Sequence, residues 1–258
     1  MHDLLDKLID DAVRRTAAGY YDIKQPIEHE PLSLRKAIKS ARKNAIIAEI
    51  KPASPSLGPI RPNVNPVQTA VSLANGGAVA LSILTEPDNF GGNIESLQRI
   101  REKVNLPLLM KDVIISEPQI QAGRRSGADC ILLIQSVFSK YRLVALGDMI
   151  EAAHRNKLEV ILEAHSKTEL EEALKSEADI VGINNRNLAT LQTDINTTKR
   201  LLEEINQHDD KTLISESGFE TAEDIRRVKL TPVEGFLIGS SIMLSQDPES
   251  KVREFVFA

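Results

Sequence analysis

From Ala45 to the C-terminus, short apolar runs alternate with stretches of helical spacing, and this alternation limits the fold more than any other feature. Eight runs read as strands: AIIAEI (45–50), AVALSIL (78–84), PLLMK (107–111), ADCILLI (128–134), LEVILE (158–163), DIVGIN (179–184), TLISE (212–216) and GFLIG (235–239). They are β-branched and mostly apolar on both faces, as strands covered by helices on each side are. Between them Leu170, Ala173 and Leu174, and again Leu201, Leu202 and Ile205, recur at helical spacing. Ser116 ahead of Gln119 and Ser166 ahead of Glu169 read as capping boxes, and Gly127 as a helix exit. Strand ends recur every ~21–35 residues, the length of a βαβ unit. Such units close into a barrel or lie in an open doubly wound sheet. The count of eight, with no GxGxxG after the first run, favours an α/β fold of the (β/α)8 or TIM barrel type. The 258 residues suit a single barrel domain, 1–258. Residues 1–44 precede the first strand as an N-terminal helical extension, with a helix over 2–19, then a loop and a second helix. The open bottom of the barrel is the expected place for it.

Several function classes drop out. Net charge is −5, no block of Lys and Arg occurs, and aromatics are 3% of residues, which argues against nucleic acid. The opening MHDLLDKLIDDAVRR is amphipathic and carries acids, so neither a signal peptide nor a membrane span is expected. The one cysteine, Cys130, excludes an internal disulfide and points to a cytoplasmic setting. Inside ADCILLI it reads as a buried structural thiol. The five histidines show no metal-ligand spacing, so no metal is expected.

In a barrel the chemistry gathers at the C-terminal ends of the strands. Those ends carry Glu49 and Lys51, Thr85 and Glu86, Lys111 and Asp112, Gln135 and Ser136, Glu163, Asn184 and Arg186, Glu216, Ser217 and Gly218, and Gly239 and Ser240. One such pair is more often a solvated strand end than a site. Acids and lysines converging from several strands perturb one another, and that is how acid and base groups are tuned. Alternate strand residues share a face, so Glu49 and Lys51 point the same way. Lys111 rises from the apolar PLLM and suits a general acid, with a structural ion pair as the bland alternative. SESG after the seventh run and GSS after the eighth occupy the loops where barrels bind phosphate, and SSIML (240–244) reads as the short helix beside them. Ser54 and Ser56 in the first loop offer further hydroxyls. Turn chemistry alone is the weaker account of these Gly and Ser pairs.

Seven of these stretches, in order, resemble indole-3-glycerol phosphate synthases: IIAEIKPASPSLG, LSILTEPDNFGG, LPLLMKD, VILEAH, GINNRNL, LISESG and FLIGSSIM. The resemblance spans nearly the whole chain. It implies a lyase of tryptophan biosynthesis that closes, decarboxylates and dehydrates 1-(2-carboxyphenylamino)-1-deoxyribulose 5-phosphate, with no cofactor or metal. It also implies residue roles. Lys111 is the general acid at the substrate carbonyl, and Glu163 its complement. Lys51 assists dehydration, with Glu49 handling a proton. Arg186 engages the anthranilate carboxylate, and Asn184, Glu216 and Ser217 hold hydroxyls and the ring-nitrogen region. Ser54, Gly218, Gly239 and Ser240 hold phosphate, and Phe90 walls the aromatic ring.

Two positions depart from the family's usual pattern: Val113 stands where Phe is usual, and Pro52 where a second basic residue is usual. Neither removes an acid or a base. Two rival readings are a phosphoribosylanthranilate isomerase, which needs a Cys and an Asp as acid and base, and a phosphate-binding barrel without catalysis. The expected partner is a small phosphorylated substrate, and the expected assembly a monomer or weak homo-oligomer.

Overall fold

The computed structural model describes residues 4–141, 144–205 and 211–258. Eight parallel strands form a closed barrel. In chain order they are β1 (Ala45–Ile50), β2 (Ala80–Leu84), β3 (Leu108–Lys111), β4 (Cys130–Ile134), β5 (Glu159–Ala164), β6 (Ile180–Asn184), β7 (Thr212–Glu216) and β8 (Gly235–Ile238). Each pairs with its sequence neighbour, and β8 returns to β1 in the register Ala45↔Gly235 to Ala48↔Ile238. All eight expected strands are present, with ends shifted by no more than two residues. Their side chains are almost wholly buried, because the barrel interior takes one face and the surrounding helices take the other.

The extension behaves differently from expectation. Its first helix, Leu4–Ala17, buries Leu5, Leu8, Ile9, Ala12 and Arg15 on one face. That face does not lie at the bottom of the barrel. Arg15 Nη1 contacts Glu86 Oε1 at 2.6 Å and Asp88 Oδ2 at 2.9 Å, and Nη2 reaches Asp112 Oδ1 at 3.5 Å. The Tyr21 hydroxyl donates to Asp112 Oδ2 at 3.1 Å, and the Tyr20 hydroxyl to the Thr85 carbonyl at 2.8 Å. These partners all follow the C-terminal ends of β2 and β3, so the helix roofs the active end. Only the later part of the extension covers the bottom. The Ser33 hydroxyl donates to Glu159 at the start of β5 (2.5 Å), and the Leu32 N–H to Asp129 just before β4 (2.8 Å). Residues 2–3 of the expected first helix lie outside the described residues.

The caps also depart from the expected boxes. Ser116 makes no side-chain cap; its hydroxyl and the Ile115 N–H both donate to Gln119 Oε1. Ser166 accepts from the Glu169 N–H at 3.3 Å, but the Glu169 carboxylate reaches past it to the N–H of His165. A complete capping box, not expected, is built by Thr221 and Asp224. Gly127 exits its helix at φ +93°, where a side chain is strained. No helix among the described residues is long and apolar enough to cross a membrane.

Candidate active site

At the C-terminal end of the barrel a cavity of about 920 Å³ opens, lined by Glu49, Lys111, Glu163 and Glu216 among others. These four come from β1, β3, β5 and β7. Interior layers of a barrel draw their side chains from alternate strands, and the topmost layer here is three carboxyls around one ammonium. Lys111 Nζ lies 3.2 Å from Glu163 Oε2 and 3.9 Å from Glu216 Oε2. The even strands make room with small residues. A Cβ on Gly182 of β6 would overlap Glu216 Oε1, and one on Gly239, after β8, would sit 2.5 Å from Glu49 Oε1. Ser82 of β2 donates to Glu49 Oε2 at 3.3 Å.

Close packing of these charges splits their protonation. Burial opposes the Lys111 ammonium, but Glu163, Glu216 and Glu49 outweigh it and hold the group above its ordinary value. Burial likewise opposes the Glu163 carboxylate, yet Lys111 and His165 hold it far below the usual range. Glu49 is lowered as well, burial being overcome by Lys51 and Lys111. Glu216 goes the other way: burial and the neighbouring Glu163 push it well above the carboxylate range. Two carboxyls around one lysine cannot both ionise cheaply, so one is an anion and one an acid at neutral pH. Among the described residues neither oxygen of the buried Glu216 meets a partner in hydrogen-bond geometry, with Lys111 Nζ 3.9 Å away, which leaves both free to bond a ligand.

The remaining expected residues fall around this layer. Lys51 Nζ pairs with Glu49 Oε1 at 2.7 Å, so the two do share an inward face. Asn184 Oδ1 accepts the Arg186 N–H at 3.0 Å. Arg186 lines the cavity, its Nη1 donating to Ser56 Oγ (3.0 Å) and the Leu191 carbonyl (2.9 Å). Ser217 and Gly218 both take left-handed backbone, φ +68° and +90°, in the turn after β7, and both line the cavity. Gly239 and Ser240 begin the short helix Ser240–Leu244, and Phe90 also lines the cavity. Ser54 is the one expected residue that the structure does not bring to the cavity. Its hydroxyl accepts the Leu57 N–H at 3.2 Å inside the first loop, whereas Ser56 faces the cavity. Pro52 adds no N–H, but its carbonyl accepts from Ile60 (2.8 Å) and Arg61 (2.9 Å) and closes that loop at its base. Val113 lines the cavity.

Three contributors were not foreseen. Leu8 of the first helix forms part of the cavity roof. Asn185 donates to Ser215 Oγ and to the Ser217 carbonyl, both at 3.0 Å, and so fixes the left-handed turn. His165 Nε2 lies 3.2 Å from Glu163 Oε1. The His165 contact had no sequence signal, since the strand ends at Ala164 and alternation no longer fixes where the next side chain points.

A family model described as Indole-3-glycerol phosphate synthase matches residues 6–255. Among curated proteins, the chain is 37% identical to an indole-3-glycerol phosphate synthase of Koribacter versatilis, over 99% of this chain and 100% of that one. It is 44% identical to one of Methanocaldococcus jannaschii, over 87% and 83%. Among solved structures, a thiamine phosphate pyrophosphorylase from Pyrococcus furiosus superimposes with a TM-score of 0.62 at 16% identity, over 86% of this chain and 96% of that one. That likeness concerns the fold alone.

Proposed function

The chain belongs to the indole-3-glycerol phosphate synthase family, carboxy-lyases of tryptophan biosynthesis, and from that premise we propose how its residues run the reaction. One observation carries the assignment of roles: Lys111 Nζ sits in the cavity 3.2 Å from Glu163 Oε2 and 3.9 Å from Glu216 Oε2, one amine between two carboxyls. Lys111 stands ready to give its proton to the substrate carbonyl oxygen as the ring closes. Glu163, an anion, faces the positive charge that develops on the ring system before carbon dioxide leaves. Glu216, kept protonated beside Glu163, donates to a substrate hydroxyl, with Asn184 and Ser217 lining the same cavity. In the dehydration Lys51 protonates the hydroxyl, which departs as water, while Glu49 takes the proton that the substrate ring loses and can pass it back to Lys51. The pair's 2.7 Å contact supports that exchange.

Arg186 receives the anthranilate carboxylate, since its fork matches a carboxylate and its surroundings are half-buried. Gly218, Gly239 and Ser240 offer backbone N–H groups to the phosphate. We assign the first loop's hydroxyl contact to Ser56 rather than Ser54. Phe90 walls the ring. Residues 1–258 act as one catalytic unit, with 1–44 as its extension, in the cytoplasm, as a monomer or weak homo-oligomer. The isomerase reading fails on Cys130, which is fully buried at the start of β4, the end of the strand away from the cavity.

The test is direct. The protein is mixed with 1-(2-carboxyphenylamino)-1-deoxyribulose 5-phosphate, with no metal or cofactor added, and indole fluorescence is followed. The chain has no Trp, so its own background is low. A rising signal supports the reading. Saturable binding without product favours the non-catalytic barrel.

A further inference from the structure

We propose that His165 is a positioning residue: an imidazolium wedged between Glu163 and Glu169 that fixes the Glu163 carboxylate for the reaction. The proposal rests on the role given to Glu163 above. Glu163 has two oxygens and a cation on each. Oε2 faces Lys111 at 3.2 Å, inside the cavity. Oε1 faces His165 Nε2 at 3.2 Å, behind it. The other ring nitrogen, Nδ1, lies 3.4 Å from Glu169 Oε2, and that oxygen is itself held by the His165 N–H at 2.7 Å. A carboxylate within ion-pair distance of each ring nitrogen, in hydrogen-bond geometry at neither, favours the doubly protonated form. Burial alone works against it, but Glu163 and Glu169 prevail and push the group up to about 9.

The other faces add little opposing charge. From the barrel come Lys111 and Glu216, both beyond Glu163. The helix Lys167–Lys175 brings Glu169 and Glu172, the latter bound by Gln135 Nε2 at 2.5 Å. The helix Gln135–Tyr141 contributes neutral Gln135 and Ser136, and Lys140, which pairs with Asp6 at 2.7 Å. His165 is not among the residues lining the cavity, so it acts through Glu163 and not on substrate.

Replacing the cation with a neutral side chain leaves Glu163 held only from the cavity side, by Lys111 and the neighbouring Glu216, and freer to turn about its own axis. His165→Gln is therefore expected to lower kcat by about ten- to a hundredfold while KM stays within about twofold. The acid limb of log kcat/KM should move up by about one pH unit as Glu163 loses a cationic neighbour. A loss of activity that only tracks a lower Tm, with an unchanged pH profile, overturns the proposal. So does an unchanged kcat.

Imidazole NMR of the unliganded protein gives a check that needs no substrate. His165 should titrate near 9 in the wild type and closer to the ordinary histidine value in Glu163→Gln. An ordinary value in the wild type sinks the idea. Should His165→Gln not fold, Glu169→Gln leaves the ring in place and should move the titration down in the same sense; no movement counts against the proposal. A wild-type protein without synthase activity overturns the function while the titration still reports on the ion bridge.

Discussion

Lys111 keeps its proton against burial because carboxylates surround it, and its chemistry depends on how charge is shared among Glu163, Glu216 and Glu49. Lys111→Ala should cost about 10²–10⁴ in kcat, read by indole fluorescence, with little change in Tm. The fold tolerates the loss because Glu216 is already neutral and Glu163 keeps His165 as a partner. Activity within a few-fold of wild type would remove Lys111 from its role. Gly182→Ala pushes a methyl group against Glu216 and is expected to destabilise by about 1–3 kcal/mol in urea melts, with a fall in kcat. His165 adds a pH signature to stability. Its folded pKa lies above the unfolded value, so its contribution is complete below about 6.5 and fades as pH rises through about 9. The gap in unfolding free energy between wild type and His165→Gln should shrink over that window. Glu49, Lys51, Lys111, Glu163 and Glu216 were legible because strand alternation says which side a residue faces. His165 was not, because a lone histidine after a strand looks like a loop residue until a carboxylate is seen on each nitrogen.

Among the elements, the helix Leu4–Ala17 departs furthest from what local pattern could tell. Its spacing announced one buried face but not the surface that would bury it. Arg15 decides the matter, and its partners Glu86 and Asp112 lie some 70 and 100 residues further on, out of reach of any local pattern. Arg15→Met leaves both acids buried without their cation. It should cost about 3–5 kcal/mol of stability, or loosen the helix alone. In either case KM should rise, because Leu8 leaves the cavity roof. A variant with native KM and native Tm would show that the helix does not depend on Arg15. The capping signals fared unevenly for a related reason. Glu169 was marked for Ser166, but the His165 amide offers the same carboxylate a partner one residue earlier.

Across the whole molecule the eight strands were readable because each is buried on both faces and so carries an unbroken apolar run. Gly and Ser after β7 and β8, the two strands where barrels hold anions, line the cavity end where phosphate is proposed to sit. Inorganic phosphate should therefore compete with substrate and raise Tm, by the equivalent of about 2.7 kcal/mol at a hundredfold excess over Kd. An unchanged Tm at high phosphate would speak against that end of the cavity.

The pairing of Ala45 with Gly235 has a consequence for how the chain is made. Synthesis releases β1 early, and β2 soon covers one of its edges. The other edge has no partner until β8 emerges, when the seven strands before it are already outside the ribosome. During that interval an apolar strand stands with open hydrogen-bonding groups, the condition that invites pairing with the wrong chain. Chains stopped short of β8 should accumulate as aggregates, because the last strand translated is the one that shelters the first.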